Sequence, residues 1–172
     1  MERMPFEHQS LASSHSQRRS LQRLANYLME QVNADKFDIR NYVNGTDPAT
    51  WRLYVFPPYN LKVVEYREIL ATEGTKACPI GYGPAAGIAV PSADMSWEEY
   101  GCLRFTNCRI CSDWMFSRHW HAVDPTVVGA ANRIQYALEH GLPFRFHIDK
   151  KGEISVPVRD YKYYVKGGRL AA

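Results

Sequence analysis

Residues 124–143 read DPTVVGAANRIQYALEHGLP, and this stretch predicts a helix whose two ends are both marked. Asp124 can cap the first turn, and Pro125 suits the first helical position because the N–H that proline lacks would be unpaired there anyway. Gly141 and Pro143 predict where the helix stops. We therefore expect a helix over 126–140, with a buried stripe formed by Val127, Val128, Ala131, Ile134 and Leu138.

A second amphipathic helix is predicted over residues 16–32, where apolar and basic side chains occupy opposite faces. Its apolar positions recur at helical spacing: Leu21, Leu24, Ala25, Leu28, Met29 and Val32. Residues 1–15 are polar and rich in Ser and His, so we expect a loose N-terminal arm. The rest of the chain, 16–172, is expected to form one globular domain, since 172 residues suffice to bury a core.

Shorter elements complete the prediction of an α+β domain with two main helices. Ser96 and Glu99 fit a capping box, which predicts a helix from Trp97 to about residue 103. Residues 51–56 are rich in aromatic and β-branched side chains and predict a strand, and 61–69 are interpreted as another. Residues 144–148 and 153–156 flank a turn and predict a C-terminal hairpin in a small antiparallel sheet, and 161–165 could add a strand.

Composition and charge exclude several classes of protein. The chain is 45% hydrophobic and 23% charged, with a formal net charge of +3, which is typical of a globular protein rather than a dedicated nucleic-acid binder. The densest basic group is Arg18, Arg19 and Arg23 on the first helix. No segment is long and apolar enough for a membrane span, and no secretory signal is visible. The cytoplasm is therefore the expected compartment, where the four cysteines would be thiols.

Cys78 is the first candidate for chemistry. Pro79 favours a helix start, which would place Cys78 at the N-cap and a short helix around it, where the helix dipole lowers a thiol's pKa. A nucleophilic cysteine also needs a base and a group that orients the base, and His119 or His121 with Asp124 could supply them. The alternative is a buried cysteine that acts as a small apolar side chain.

A metal site is the second candidate. Cys102, Cys108, Cys111, His119 and His121 include the ligand types that zinc prefers. Only Cys108 and Cys111 have the separation of a zinc knuckle, however, and a matching second pair is not present in the sequence. We therefore predict neither a metal nor a cofactor, with Cys108, Cys111, His119 and His121 as the weak candidates.

A series of short motifs recurs along the chain in a recognisable order: Phe37-Asp38-Ile39, Gly74-Thr75, Cys78, Gly81, Pro84-Ala85-Ala86-Gly87, Trp97, Tyr100, Trp114, Phe116-Ser117, Trp120, Asp124, Thr126, Gly129-Ala130-Ala131, Arg133-Ile134 and Gly141-Leu142-Pro143. This order resembles a family of small bacteriophage and prophage proteins, a domain of unknown function. The resemblance covers about residues 16–143, departs at Glu73, where the family often has cysteine, and does not include His119 or His121.

The resemblance implies an accessory protein of a phage or mobile element that binds a host or phage macromolecule, in the manner of host-modulating or anti-defence factors. A host or phage protein is the expected partner, and an enzyme is not favoured. Two alternatives remain open, a hydrolase or transferase that uses Cys78 and a nucleic-acid-binding protein. The terminal Leu170-Ala171-Ala172 resembles a signal read by bacterial proteases.

Overall fold

The computed structural model describes residues 8–143, 147–148 and 154–155. The helices in this part of the chain are α1 (His15–Gln31), α2 (Pro48–Val55), α3 (Val63–Ala71), α4 (Trp97–Arg104), α5 (Arg109–Phe116) and α6 (Val127–His140). Short 3-10 helices occur at Ala34–Lys36, Ile80–Tyr82 and Arg118–Ala122. Within these residues, none of the helices combines the length and apolar character that crossing a bilayer requires. The predicted single α+β domain is confirmed.

The strands are short and pair antiparallel. β1 (His8–Gln9) pairs with β4 (Leu142–Pro143), and β2 (Val43–Asn44) pairs with β3 (Lys76–Ala77). β5 (His147–Ile148) pairs with β6 (Ile154–Ser155), which confirms the predicted hairpin where the structure describes it. The strand predicted at 161–165 lies outside the described residues. The sheets thus connect distant parts of the chain but contribute little of the core.

Helices α1 and α6 pack along each other and form the centre of the domain. Ser14 caps α1, since its Oγ accepts from the Gln17 N–H at 3.2 Å while Gln17 Oε1 accepts from the Ser14 N–H at 2.8 Å. Both predicted main helices are confirmed. The buried face of α1 is Leu21, Leu24, Ala25 and Leu28, whereas Met29 is 52% exposed.

The start of α6 differs from the prediction in one residue. Thr126, not Asp124, is the N-cap, because Thr126 Oγ1 accepts from the Gly129 N–H at 2.9 Å. Val128 points to solvent, and Arg133 is buried instead. Gly141 ends the helix with a φ of 77°, a conformation that glycine adopts without strain.

The strands predicted at 51–56 and 61–69 are wrong, since both segments are helical. Pro48 is the first residue of α2. Leu53 lies on the inner side of this helix, and its carbonyl oxygen accepts from Trp97 Nε1 at 2.7 Å. In α3, Glu65 Oε2 accepts from the Lys62 N–H at 2.8 Å and stabilises the first turn. Tertiary packing and end signals therefore outweigh the strand propensity of aromatic and β-branched side chains.

The predicted N-terminal arm is packed rather than loose over residues 11–13. Leu11 is buried, and Ser13 Oγ donates to the Phe105 carbonyl at 2.8 Å. The Ala12 carbonyl accepts from Thr106 Oγ1 at 2.8 Å. Residues 1–7 of the arm lie outside the described part. These contacts join the arm to the loop between α4 and α5.

Helix α4 confirms the predicted capping box and starts a chain of aromatic contacts. Ser96 Oγ accepts from the Glu99 N–H, and Glu99 Oε2 accepts from the Ser96 N–H. The ring contacts run from α4 to α5 at centroid separations of 5.7 to 5.9 Å: Tyr42–Trp97, Trp97–Tyr100, Tyr100–Phe105 and Phe105–Phe116. These packed rings lie behind the cavity described below and support its wall.

Candidate functional site

A cavity of about 960 Å³ lies between α2, the start of α4, and α5. The stacked rings of Tyr42 and Trp97 line it together with Cys78. Residues 109–119 supply the opposite wall with basic, acidic and imidazole side chains. A concave site with apolar walls and a few convergent polar groups is the usual form of a binding site.

Cys78 lies on the wall of this cavity but is nearly closed off from solvent, at 4% exposure. The chain does turn helical after it, but the N-cap is Pro79 (φ −53°, ψ −46°) and not Cys78 as predicted; the Tyr82 N–H donates to the Cys78 carbonyl at 3.1 Å. Burial raises the pKa of the Cys78 thiol to about 12, although the Gly81 and Ile80 N–H groups act to lower it. The lowered pKa expected from a helix start is therefore wrong, because the lost hydration outweighs the favourable N–H groups.

His119 lines the same cavity as Cys78, which is where the interpretation of Cys78 as a nucleophile placed its base. The charge of His119 acts on the carboxylate of Asp113, which lies six residues earlier, in α5. Burial raises the pKa of Asp113, while the charges of Arg109 and His119 act to lower it. Asp113 and Glu98 are therefore the acidic residues that line this cavity, and Asp124 is not among its lining residues.

Asp124 is engaged in a buried structural pair. Its Oδ1 accepts from Thr126 Oγ1 at 2.7 Å, and its Oδ2 lies 3.6 Å from Arg133 Nη1. The Arg133 guanidinium also stacks over the Trp120 ring at 4.3 Å. Burial lowers the pKa of Arg133 to about 10, with the charge of Asp124 acting to raise it. The assignment of Asp124 as the residue that orients a catalytic histidine is thus wrong, because its two carboxylate oxygens contact Thr126, at the start of α6, and Arg133.

His121 lines a neighbouring cavity of about 760 Å³ rather than the one at Cys78. His119 and Arg118 border both cavities. Among the described residues, no three side chains of His, Cys, Asp or Glu come close enough to hold a metal ion. Cys108 and Cys111 instead lie at the start of α5, and Cys102 is exposed on α4.

Three arginines surround the mouth of the cavity: Arg40, Arg109 and Arg118. Arg40 Nε pairs with Asp38 Oδ1 at 2.9 Å, and Arg109 Nε lies 3.8 Å from Asp113 Oδ2. Burial acts to raise the pKa of Asp38, but the hydrogen bonds and charge of Arg40 bring it below its ordinary value. Since the three arginine side chains are exposed, a competing anion can reach their guanidinium groups from solvent.

An exposed apolar surface borders the same cavity. Seven large apolar side chains between residues 51 and 64 are more than a third exposed: Trp51, Tyr54, Val55, Tyr59, Leu61, Val63 and Val64. We call this set the α2 apolar surface. Trp51 is 68% exposed, and Tyr54 and Val55 also line the cavity. Single exposed apolar residues are ordinary in proteins, but a concentration of this kind within 14 residues is typical of an interaction site.

The basic group on α1 is partly committed to structure. Arg18 Nη2 donates to the Leu11 carbonyl at 3.2 Å, and Arg23 Nη1 donates to the Gly87 carbonyl at 3.4 Å. Arg19 lines a shallow cavity that also includes the acidic Glu30. These contacts give two of the three guanidinium groups a role in fixing loops against α1.

The sequence analysis missed most of this site. Asp113, Arg118, Tyr42 and the exposed face of α2 were not singled out, although the aromatic density of residues 51–59 was a usable signal.

Comparisons with protein-family models, curated proteins and solved structures found no match to this chain.

Proposed function

We propose that this protein acts by binding another protein through the α2 apolar surface. The observation that supports the proposal is the exposure of Trp51, Tyr54 and Val55 on one side of α2, followed directly by the exposed apolar residues 59–64. Tryptophan and tyrosine are the side chains most enriched at the energetic centres of protein interfaces. Three of the seven exposed apolar side chains of this surface are of these types, and leaving all seven in water costs the monomer solubility and brings it no stability.

The neighbouring cavity indicates the chemistry of the partner. Tyr54 and Val55 belong both to the α2 apolar surface and to the cavity wall, so a protein docked on the surface also covers the cavity mouth. Arg40, Arg109 and Arg118 would face it there. A fitting partner thus presents apolar anchor residues flanked by Asp or Glu side chains, since buried interface charges need opposite charges.

The biological setting rests on the family resemblance described above. On that ground the chain would be an accessory protein of a phage or mobile element that works in the bacterial cytoplasm. The partner would then be a host or phage protein whose activity is modulated by the contact.

A thiol-dependent reaction at Cys78 is the weaker candidate. Cys78 and His119 do line one cavity, which favours it. A thiol whose pKa is about 12 is almost entirely protonated at neutral pH, however, and only the thiolate is nucleophilic. Binding nucleic acid through α1 is also weaker, because Arg18 and Arg23 already donate to backbone carbonyls.

The proposal can be tested by comparing baits in bacterial lysate at physiological salt. The baits are the wild-type protein, the double variant Trp51→Ala/Tyr54→Ala, and a control, Leu103→Ala/Val128→Ala, which removes exposed apolar side chains from α4 and α6. We expect a specific protein to be recovered by the wild type and the control but not by the Trp51→Ala/Tyr54→Ala variant. Raising the salt should weaken recovery if acidic partner residues meet the arginines.

Two results would contradict the proposal. Equal recovery by all three baits would show that the α2 apolar surface is not the contact. Light scattering that finds a wild-type dimer and a monomeric Trp51→Ala/Tyr54→Ala variant would show that a second copy of this chain covers the surface instead.

A further inference from the structure

The first turn of α5 brings two cysteines into contact. Cys108 is the N-cap of the helix and Cys111 is its third residue. The Cys111 N–H donates to Cys108 Sγ at 3.4 Å, which holds this sulfur beside the first turn of the helix. Both sulfurs are free in the structure. Cys108 Sγ is therefore already directed at the residue with which it would form a disulfide.

The two thiols differ in access. Cys108 is half-buried and can be reached from solvent, whereas Cys111 is 1% exposed. Burial and the hydrogen bond with Cys108 raise the pKa of Cys111 to about 11. An accessible sulfur beside a covered one is the arrangement of an attacking thiol and a resolving thiol.

The rest of the described chain gives this pair no competing role. A third metal ligand is not found near it within the described residues, so the pair is not half of a zinc site there. Cys102 is exposed on α4, and Cys78 is buried at the cavity. The backbone N–H of Cys111 directs its positive end at Cys108 Sγ, which favours a sulfur that must carry negative charge when exchange begins.

We propose that Cys108 and Cys111 form a reversible dithiol–disulfide pair that exchanges with low-molecular-weight disulfides such as oxidised glutathione. In the first step the Cys108 thiolate attacks one glutathione sulfur, the glutathione disulfide bond breaks, and one glutathione leaves as thiolate. In the second step the Cys111 thiolate attacks Cys108 Sγ and releases the second glutathione. The protein loses two electrons and two protons, and one glutathione disulfide becomes two glutathione thiols.

The cross-link would act on the wall of the cavity. Arg109, Ser112 and Asp113, which lie within or next to the linked turn, line the cavity. A disulfide from Cys108 to Cys111 closes a ring around the first turn of α5 and removes its freedom to fray. Oxidation would therefore fix the position of Arg109 and Asp113 at the site.

The wild-type protein itself provides the main test, because Arg109 lies between the two cysteines. The protein is equilibrated in glutathione buffers of increasing oxidised fraction, its remaining thiols are blocked, and it is digested with trypsin under denaturing conditions. We expect peptides 105–109 and 110–118 to appear joined, in a fraction that rises with the oxidised glutathione and falls again on reduction. Cys78 should stay unmodified, because it is buried with a pKa of about 12.

Variants then separate the two steps. Cys111→Ser should accumulate a mixed disulfide of glutathione on Cys108, while Cys102→Ser should behave as the wild type. As the pH rises toward the pKa of Cys111, the second step in the wild type should become about tenfold faster for each pH unit. The reason is that the Cys111 thiolate is the attacking group. Glutathione adducts on Cys108 without joined peptides at any buffer composition, or joined peptides that include Cys102, would overturn the proposal.

Discussion

Helices α2 and α6 both start at or just after an Asp-Pro pair, yet they use their apolar side chains in opposite ways. In α6, Ile134 and its neighbours are buried against α1, and even the charged Arg133 is only 1% exposed. In α2, Leu53 is buried while Trp51 on the other side is 68% exposed. The same classes of residue therefore build the core in one helix and an open surface in the other. What decides between them is which other elements reach the helix, and that is a property of the whole fold.

The largest expected effect belongs to the buried pair at α6. Replacing Asp124 with Ala leaves the Arg133 charge buried without its partner, so we expect the free energy of unfolding to fall by about 3–5 kcal/mol. Urea denaturation at neutral pH measures the loss. Glu139→Ala, an exposed change on the same helix, is the control and should cost less than about 0.5 kcal/mol.

A second variant shows whether charge is the cause. Adding Arg133→Leu to Asp124→Ala removes the unpaired cation and should recover much of the lost stability, because an apolar side chain suits the buried position. If Asp124→Ala alone unfolds no more easily than the wild type, α6 does not depend on the pair. The contrast with α2 would then rest on apolar packing only.

The next effect concerns the inner side of α2. Leu53 is 4% exposed, so Leu53→Ala removes a buried side chain and should destabilise the protein by about 2–4 kcal/mol. Val55→Ala, on the outer side of the same helix, is the matched control, since Val55 is 52% exposed. The difference between the two midpoints of thermal unfolding measures how one-sided the packing of α2 is. Equal midpoints would mean that α2 has no inner side and that the comparison with α6 fails.

The sequence predicts those parts of the fold whose signals are local. Capping residues and helical periodicity located α1, α4 and α6, because caps and one-sided burial act within a turn or two. The strand predicted for the α2 segment was wrong, because its aromatic residues favour strands. The contact of this segment with Trp97 and the prolines that flank it override that preference. Cys78 was placed correctly at a helical turn, but its pKa depends on side chains that arrive from elsewhere in the chain.

The candidate site was harder to predict for the same reason. Its charged wall comes from 109–119 and its aromatic wall from residues 42 and 97, so no single motif contains it. Cys108 and Cys111 are the exception. Their spacing was visible in the sequence, but the contact between the thiols depends on their place at the start of α5.

The smallest expected effect on stability is at the α2 apolar surface. Trp51→Ala/Tyr54→Ala changes side chains that are 68% and 55% exposed, so we expect the free energy of unfolding to change by less than about 0.5 kcal/mol for each substitution. If folding required these rings, their loss would cost as much as Leu53→Ala. Near-neutral stability together with lost recovery of a partner would show that α2 has one side for the fold and another for binding. A strong destabilisation would instead place the rings in the core, and the loss of binding would then reflect unfolding alone.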